Sequence, residues 1–378
     1  MKKLLVPFMI CLGISAIAQE EETSWSDGFT LSGSVDAYFR QNLNAPNKLI
    51  DADITDDDDE LDTYIAPGSS FANQPGFALG MANLIIGYEK GNVGVVADLV
   101  YGPRGTDAVF GSTTASSSIV NQLYVYWNVS EKVKLTFGNW NTYLGYEVIS
   151  PAANFNYSTS YMFSYGPFSH SGLKADFALN DSWSAMLAVM NSTDYTDYNP
   201  FGGYTAGAQL GYSKDAGSAY LNFLYGDQDG DYTDMGLDEG AGATFQVDLT
   251  AGLDLSDSFY LGLNTTYNTT EAGDLGGDSF GFYGVALYAQ VAASESFSVG
   301  LRPEYFSQFG GFDAIGGNDA NGDGNVFAVT LSGNAKVGPL TFIPEFRLDS
   351  ASEDVFLDGD LTPQGSLASF LLAAVYSF

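Results

Sequence analysis

Residues 370–378 read FLLAAVYSF, with Phe370, Leu372, Ala374, Tyr376 and Phe378 on one parity. A strand sends alternate side chains to opposite faces, so one face of this segment is apolar along its whole length and ends on an aromatic ring. The segment is the last of some sixteen strand-length segments with related patterns, and the gaps between them are alternately tight and long. Lipid on one face, water on the other, pinched turns at one rim and loops at the other describe a membrane-spanning β-barrel. The expected fold is therefore all-β: a closed antiparallel transmembrane barrel of about sixteen strands, with short periplasmic turns and long external loops.

The tight connections are specific. Segments 77–90 and 93–101 are joined only by Gly91 and Asn92, a strong hairpin pair. Further hairpins are expected around 130–132, 180–181, 214–217, 256–257, 294–296 and 338–339. The long connections fall near 102–117, 140–168, 192–203, 228–240, 270–279, 309–325 and 350–366, preceded by a first one, after the segment from Phe29 to about Arg40, that contains the acidic run Asp56, Asp57, Asp58, Asp59 and Glu60. Face separation is cleanest where Phe245, Val247, Leu249, Ala251 and Leu253 alternate with Thr244, Gln246, Asp248, Thr250 and Asp254. A soluble β-sandwich would also alternate. Polar residues persist on the inner parity, however, and aromatics recur at segment ends, as a barrel in lipid requires. The segments starting at Phe77, Ile119 and Phe280 mix the two parities, which a bulge or a contact between protomers would explain.

Charge and the leading residues set the compartment. Lys2 and Lys3 precede an apolar run over 4–17, and Ala16 and Ala18 form a small-x-small cleavage site, so residues 1–18 read as a secretory signal and 19–378 as one barrel domain. Cys11, the one cysteine, lies inside that signal and excludes a mature disulfide or thiolate site. After the signal no run of 18 or more apolar residues occurs, so helical spans are not expected. Twenty-four Tyr, 27 Phe and 44 Gly suit strands, interfacial girdles and turns. The formal charge of -33 becomes about -35 once Lys2 and Lys3 are removed, which repels nucleic acid.

A barrel of this size leaves an aqueous lumen. By parity its pore-lining charges are Asp36, Arg40, Lys174, Asp176, Asp248, Arg302, Glu304, Lys336, Glu345 and Arg347. Opposed charges across a narrow passage order water and polar solutes, and so filter by polarity as well as size. Arg302 with Glu304 and Arg347 with Glu345 could instead be wall salt bridges that stiffen the strands. The third long loop, 140–168, is too aromatic to extend into solvent. Folding into the lumen as a constriction, with Tyr146 and Glu147 on the passage, is one outcome; an apron on the rim or a contact between protomers is the other.

Asp319, Asn321 and Asp323 followed by Gly324 match the opening of a Ca²⁺ loop, whose alternate oxygens can wrap one hard cation. Thr330 stands where such a loop carries its bidentate Glu, and Asp227, Asp229 and Asp231 form a weaker match. Catalysis is not expected. His170 is the only histidine, its neighbours Ser169 and Ser171 lie in no G-x-S-x-G, and phosphate cradles and metal motifs of the Cys/His type are absent.

Four stretches carry a family resemblance: SGSVDAYFRQNLN from Ser32, DLVYGPRG from Asp98, NQLYVYW from Asn121, and LTFGNWNTYLGYEVISPAANFNYSTSYMFSYGPFSHSGLKA from Leu135. Together they resemble the OmpL-like β-barrel porin family of Bacteroidetes, over essentially the whole mature chain. The resemblance implies passive diffusion of small hydrophilic solutes across a Gram-negative outer membrane, and supplies no catalytic or binding residues. The partners expected are outer-membrane lipid and lipopolysaccharide, the barrel assembly machinery, the solutes themselves and further copies in a homotrimer. The acidic mouth predicts cation preference. The competing class is a closed-lumen surface protein whose acidic loops bind a ligand, host or matrix component.

Overall fold

A computed structural model describes residues 27–50, 63–228 and 240–378. The signal over 1–18, the acidic run over 56–60, and Asp229 and Asp231 lie outside the described residues. The chain forms strands β1 (Phe29–Asn42), β2 (Gly76–Lys90), β3 (Val93–Tyr101), β4 (Val120–Ser130), β5 (Val133–Asn141), β6 (Ser169–Ala178), β7 (Trp183–Met190) and β8 (Thr205–Lys214). Next come β9 (Gly217–Asp227), β10 (Ala243–Ser256), β11 (Phe259–Thr270), β12 (Phe280–Ala292), β13 (Phe297–Phe309), β14 (Gly324–Val337) and β15 (Leu340–Ala351). In the last long loop β16 (Phe356–Leu357) and β17 (Pro363–Gln364) pair as a separate ladder, and β18 (Ser366–Ser377) returns to the main sheet. Every neighbouring pair in that sheet is antiparallel, and β1 pairs with β18 to close a sixteen-stranded barrel.

Closure satisfies the backbone of both edge strands, the condition for a sheet to cross a membrane. Beyond β18 the ladder continues, because the amides and carbonyls of Gly33 and Phe378 exchange hydrogen bonds of 3.1 and 3.0 Å. Among the described residues no helix is long and apolar enough to cross a membrane. The outer face is apolar and exposed at Phe77, Leu79, Leu123, Val125, Phe137 and Leu187, while the inner parity of β10 carries the buried Thr244, Gln246 and Asp248.

Phe378 is itself exposed on the outer surface, at the tight-turn rim. Phe378→Ser removes an interfacial ring and the aromatic end of the closing strand. The inserted, heat-modifiable fraction should fall while export to the periplasm continues; unchanged insertion would mean that this ring plays no part in assembly.

The three segments of mixed parity have two separate causes. In β2, Gly80 and Met81 both stand opposite Asp36 of β1, a bulge that reverses the parity of the rest of the strand. A second register shift, at Asp98 and Leu99, admits Asn121 as an extra residue of β4. β12 holds one register throughout its pairing with β13. Its inward Phe282, Ala286 and Tyr288 are apolar because another part of the chain packs on them.

Candidate functional site

Loop 142–168 fills one side of the lumen. Its aromatic content has an apolar destination: Tyr161 and Met162 join Phe282, Tyr288 and Phe306 of the wall in one buried cluster, and Tyr146 stacks on Tyr288 with centroids 4.0 Å apart. Phe163 and Phe168 pack with Phe71, Met81 and Val100 in a second cluster. Burying a large apolar side chain is worth about 1.5–3 kcal/mol, so these contacts favour an inward loop over an extended one.

Polar wall groups then fix the loop's backbone. Glu345 accepts from the amides of Tyr157 (3.0 Å) and Ser158 (3.2 Å), and Glu304 from those of Tyr161 (3.0 Å) and Met162 (2.9 Å). The intervening carbonyls are taken by guanidiniums: Arg302 donates to Ser158 O at 2.7 Å and Arg347 to Thr159 O at 2.8 Å. Arg302 also pairs with the loop's Glu147, whose other oxygen accepts from the Ser160 amide at 2.7 Å. Asp36 receives the Tyr157 hydroxyl, and Asp248 the Gly145 amide at 3.0 Å. Arg104, from the short helix α1 (Pro103–Ala108), donates to Ile149 O at 2.8 Å and Tyr157 O at 3.1 Å. Within the loop, Ser160 caps the single helical turn α2 (Tyr161–Tyr165) by accepting from the Phe163 amide. Charge-assisted hydrogen bonds of this kind contribute about 1.5–3 kcal/mol each where neutral ones give about 1.

Wall glycines complete the fit. Tyr143 lies over Gly207, Tyr146 over Gly262, Met162 over Gly284 and Phe155 over Gly300, so that a Cβ at any of them would overlap the loop side chain. Gly within a strand costs stability unless a close approach needs it, and here each one receives the loop. At the loop's far end Asp194, between β7 and β8 at φ 68°, accepts from the Phe168 amide at 2.7 Å and the Ser169 amide at 2.9 Å. Burial pushes its carboxyl up to about 7 although both amides oppose the shift.

The ten charges read from parity all face inward, yet they divide into two groups. Asp36, Arg40, Asp248, Arg302, Glu304, Glu345 and Arg347 are buried. Most of them hold the loop, while Arg40 donates to Ile65 O, Asn73 O and Asn42 Oδ1. Lys174, Asp176 and Lys336 keep solvent contact. The alternative of wall bridges within a strand, Arg302 with Glu304 and Arg347 with Glu345, is not what forms: Arg302 pairs with Glu147 and Arg347 with Asp349. The reason is that Glu304 and Glu345 are taken up by loop amides. Tyr146 and Glu147 do lie in the lumen, but Glu147 is buried against Arg302.

Sequence reasoning missed Arg104, Asp349 and the glycine sockets. A signal existed for the last, in inward-parity glycines standing in otherwise well-formed strands. On inward positions of β4, β5, β8 and β9, Gln122, Tyr124, Tyr126, Lys134, Gln209 and Tyr220 are half-buried, and Gln209 donates to the loop's Tyr143 O.

In the loop before β14, Asp319 accepts from the amides of Asn321 (2.7 Å) and Asp323 (3.1 Å), which hold its carboxyl below the usual range. These turn contacts account for the Asp-x-Asn-x-Asp spacing without a cation. Thr330 points elsewhere, accepting from Arg302 inside the barrel. Among the described residues no group of three or more Asp, Glu, His or Cys side chains is placed to hold one metal ion.

A family model described as "Putative beta-barrel porin-2, OmpL-like" matches residues 28–378. No curated protein matches the sequence. Among solved structures, the outer membrane channel DcaP of Acinetobacter baumannii is similar at 14% identity and a TM-score of 0.57, over 93% of this chain and 97% of that one. An anion-selective porin from Comamonas acidovorans is similar at 14% identity and 0.55, over 93% and 99%. The trimer form of OmpT, an outer membrane protein of Vibrio cholerae, follows at 10% identity and 0.54, over 93% and 99%. At these identities the likeness extends to the fold.

Proposed function

Because the chain belongs to the OmpL-like β-barrel porin-2 family and is an outer-membrane porin of a Gram-negative cell, we propose that it passes small hydrophilic solutes down their gradients through a passage that loop 142–168 narrows from one side. The observation carrying this reading is the asymmetry of the lumen. Loop and wall are mutually buried from β12 through β18 to β1, whereas on β4–β6 the inward Gln122, Tyr124, Tyr126, Lys134, Lys174 and Asp176 stay partly exposed, although Thr136, Trp140 and His170 there are buried. Long loops face outward and tight turns the periplasm, as in outer-membrane barrels generally.

The passage prefers cations. The acidic excess of the whole chain, a formal charge of -33, supports this direction. Such a field raises local cation concentration, although screening over about 8 Å at physiological salt confines the effect to the mouth and the narrow section. The trimer form of the Vibrio barrel favours the same assembly for this chain.

Planar-bilayer recording tests the reading. Purified protein should give stable steps of constant size, a cation-selective reversal potential under a salt gradient, and larger steps once residues 143–152 are deleted. An electrically silent, correctly folded barrel would favour the closed-lumen surface protein, and wild-type conductance in the deletion would show that the loop does not set the width.

A further inference from the structure

The cations that a permeating solute meets differ from the arginines that dominate the wall. Arg40, Arg302 and Arg347 are at most 4% exposed. On the open side stand Lys134 of β5 and Lys174 of β6, both inward and partly exposed. Lys174 Nζ lies 3.6 Å from Asp176 and 5.7 Å from the ring of Trp140, with about a quarter of the side chain exposed. Lys134 Nζ sits 4.1 Å from the ring of Tyr126, and Lys134 stands directly opposite Asp176 in the ladder. Lys174 is thus ion-paired with Asp176, and Lys134 occupies the ladder position opposite the same residue. An aromatic face holds each ammonium group in position, since ring quadrupoles attract cations.

We propose that Lys174, together with Lys134, is the selectivity-determining pair of the passage, a station for small anions and for the carboxylate or phosphate end of a zwitterionic solute. The station rests on the porin reading above and opposes the acidic field around it. The half-buried inward groups at mid-strand beside and across from it, Gln122, Tyr124, Gln209 and Tyr220, are uncharged polar or phenolic side chains, and nearer the strand end Glu89 accepts from the hydroxyl of Tyr126. Anion permeability is therefore set chiefly at β5 and β6, with Lys336 a further exposed cation at the tight-turn end of β14. The arginines contribute little, because protein lies between them and the solute and Arg302 and Arg347 are each paired with a carboxylate.

A unit charge several ångströms from the permeation axis, in a largely aqueous lumen, changes the cation-to-anion permeability ratio by about two- to four-fold. Lys174→Gln should raise the ratio by that factor, the Lys134→Gln/Lys174→Gln double variant should raise it further, and Asp176→Asn should lower it. The measurement is the reversal potential under a KCl gradient in planar bilayers. A thiol version is independent of the first: in a Cys11→Ala background, Lys174→Cys should become more cation-selective with an anionic methanethiosulfonate and less so with a cationic one. Ser158→Cys, buried where the loop meets the wall, should respond to neither reagent. A conducting double variant with wild-type selectivity overturns the assignment and leaves the porin reading standing. A wild-type barrel that carries no current overturns both.

Discussion

Arg302→Met should release loop 142–168 from the wall while leaving the barrel closed. The guanidinium is fully buried, its partner Glu147 nearly so, and the substitution strands that carboxylate without a cation. Breaking one side of a buried ion pair typically costs about 3–5 kcal/mol. Losing the bond to Ser158 O adds to this. The barrel's own ladders are untouched, so the cost falls on loop docking. Heat-modifiable mobility should persist, proteases should gain access between 142 and 168, and single-channel conductance should rise. Replacing Glu147 by Leu in the same chain removes the stranded charge and should restore part of the protection. A loop that stays protease-resistant in Arg302→Met would mean that its apolar contacts suffice without the ion pair.

Gly300→Val should have opposite signs in two backgrounds. In the intact chain the new side chain overlaps the ring of Phe155, and overpacking of this kind costs about 1–3 kcal/mol. Once residues 143–168 are replaced by a short linker, the ring of Phe155, which supplies the nearest atoms to a side chain at position 300, is gone. Valine should then stabilise the strand by about 0.5–1 kcal/mol, because a β-branched residue loses less freedom than glycine. The readout is the urea midpoint of the folded, heat-modifiable species in all four chains. Destabilisation of similar size in both backgrounds would show that Gly300 serves the strand and not the loop. Gly262→Val, beneath Tyr146, should behave in the same way.

Local sequence was sufficient for the barrel itself. Strand faces follow from a two-residue period, hairpins from pairs such as Gly91 and Asn92, and the alternation of tight turns with long loops requires antiparallel neighbours; all of these are properties of residues close together in the chain. Inward placement of Arg302, Glu304, Glu345 and Arg347 follows for the same reason. What those groups do was decided by tertiary structure. Parity states which way a side chain points and is silent on what meets it there. Glu304 and Arg302 are two residues apart on one strand, yet their partners come from 142–168, more than 130 positions away. The bulge of β2 at Gly80 and Met81, the apolar inner face of β12 and the wall glycines under Tyr146 and Phe155 share that origin. Each breaks the local pattern because a distant segment packs against it, and only the closed barrel brings that segment into reach.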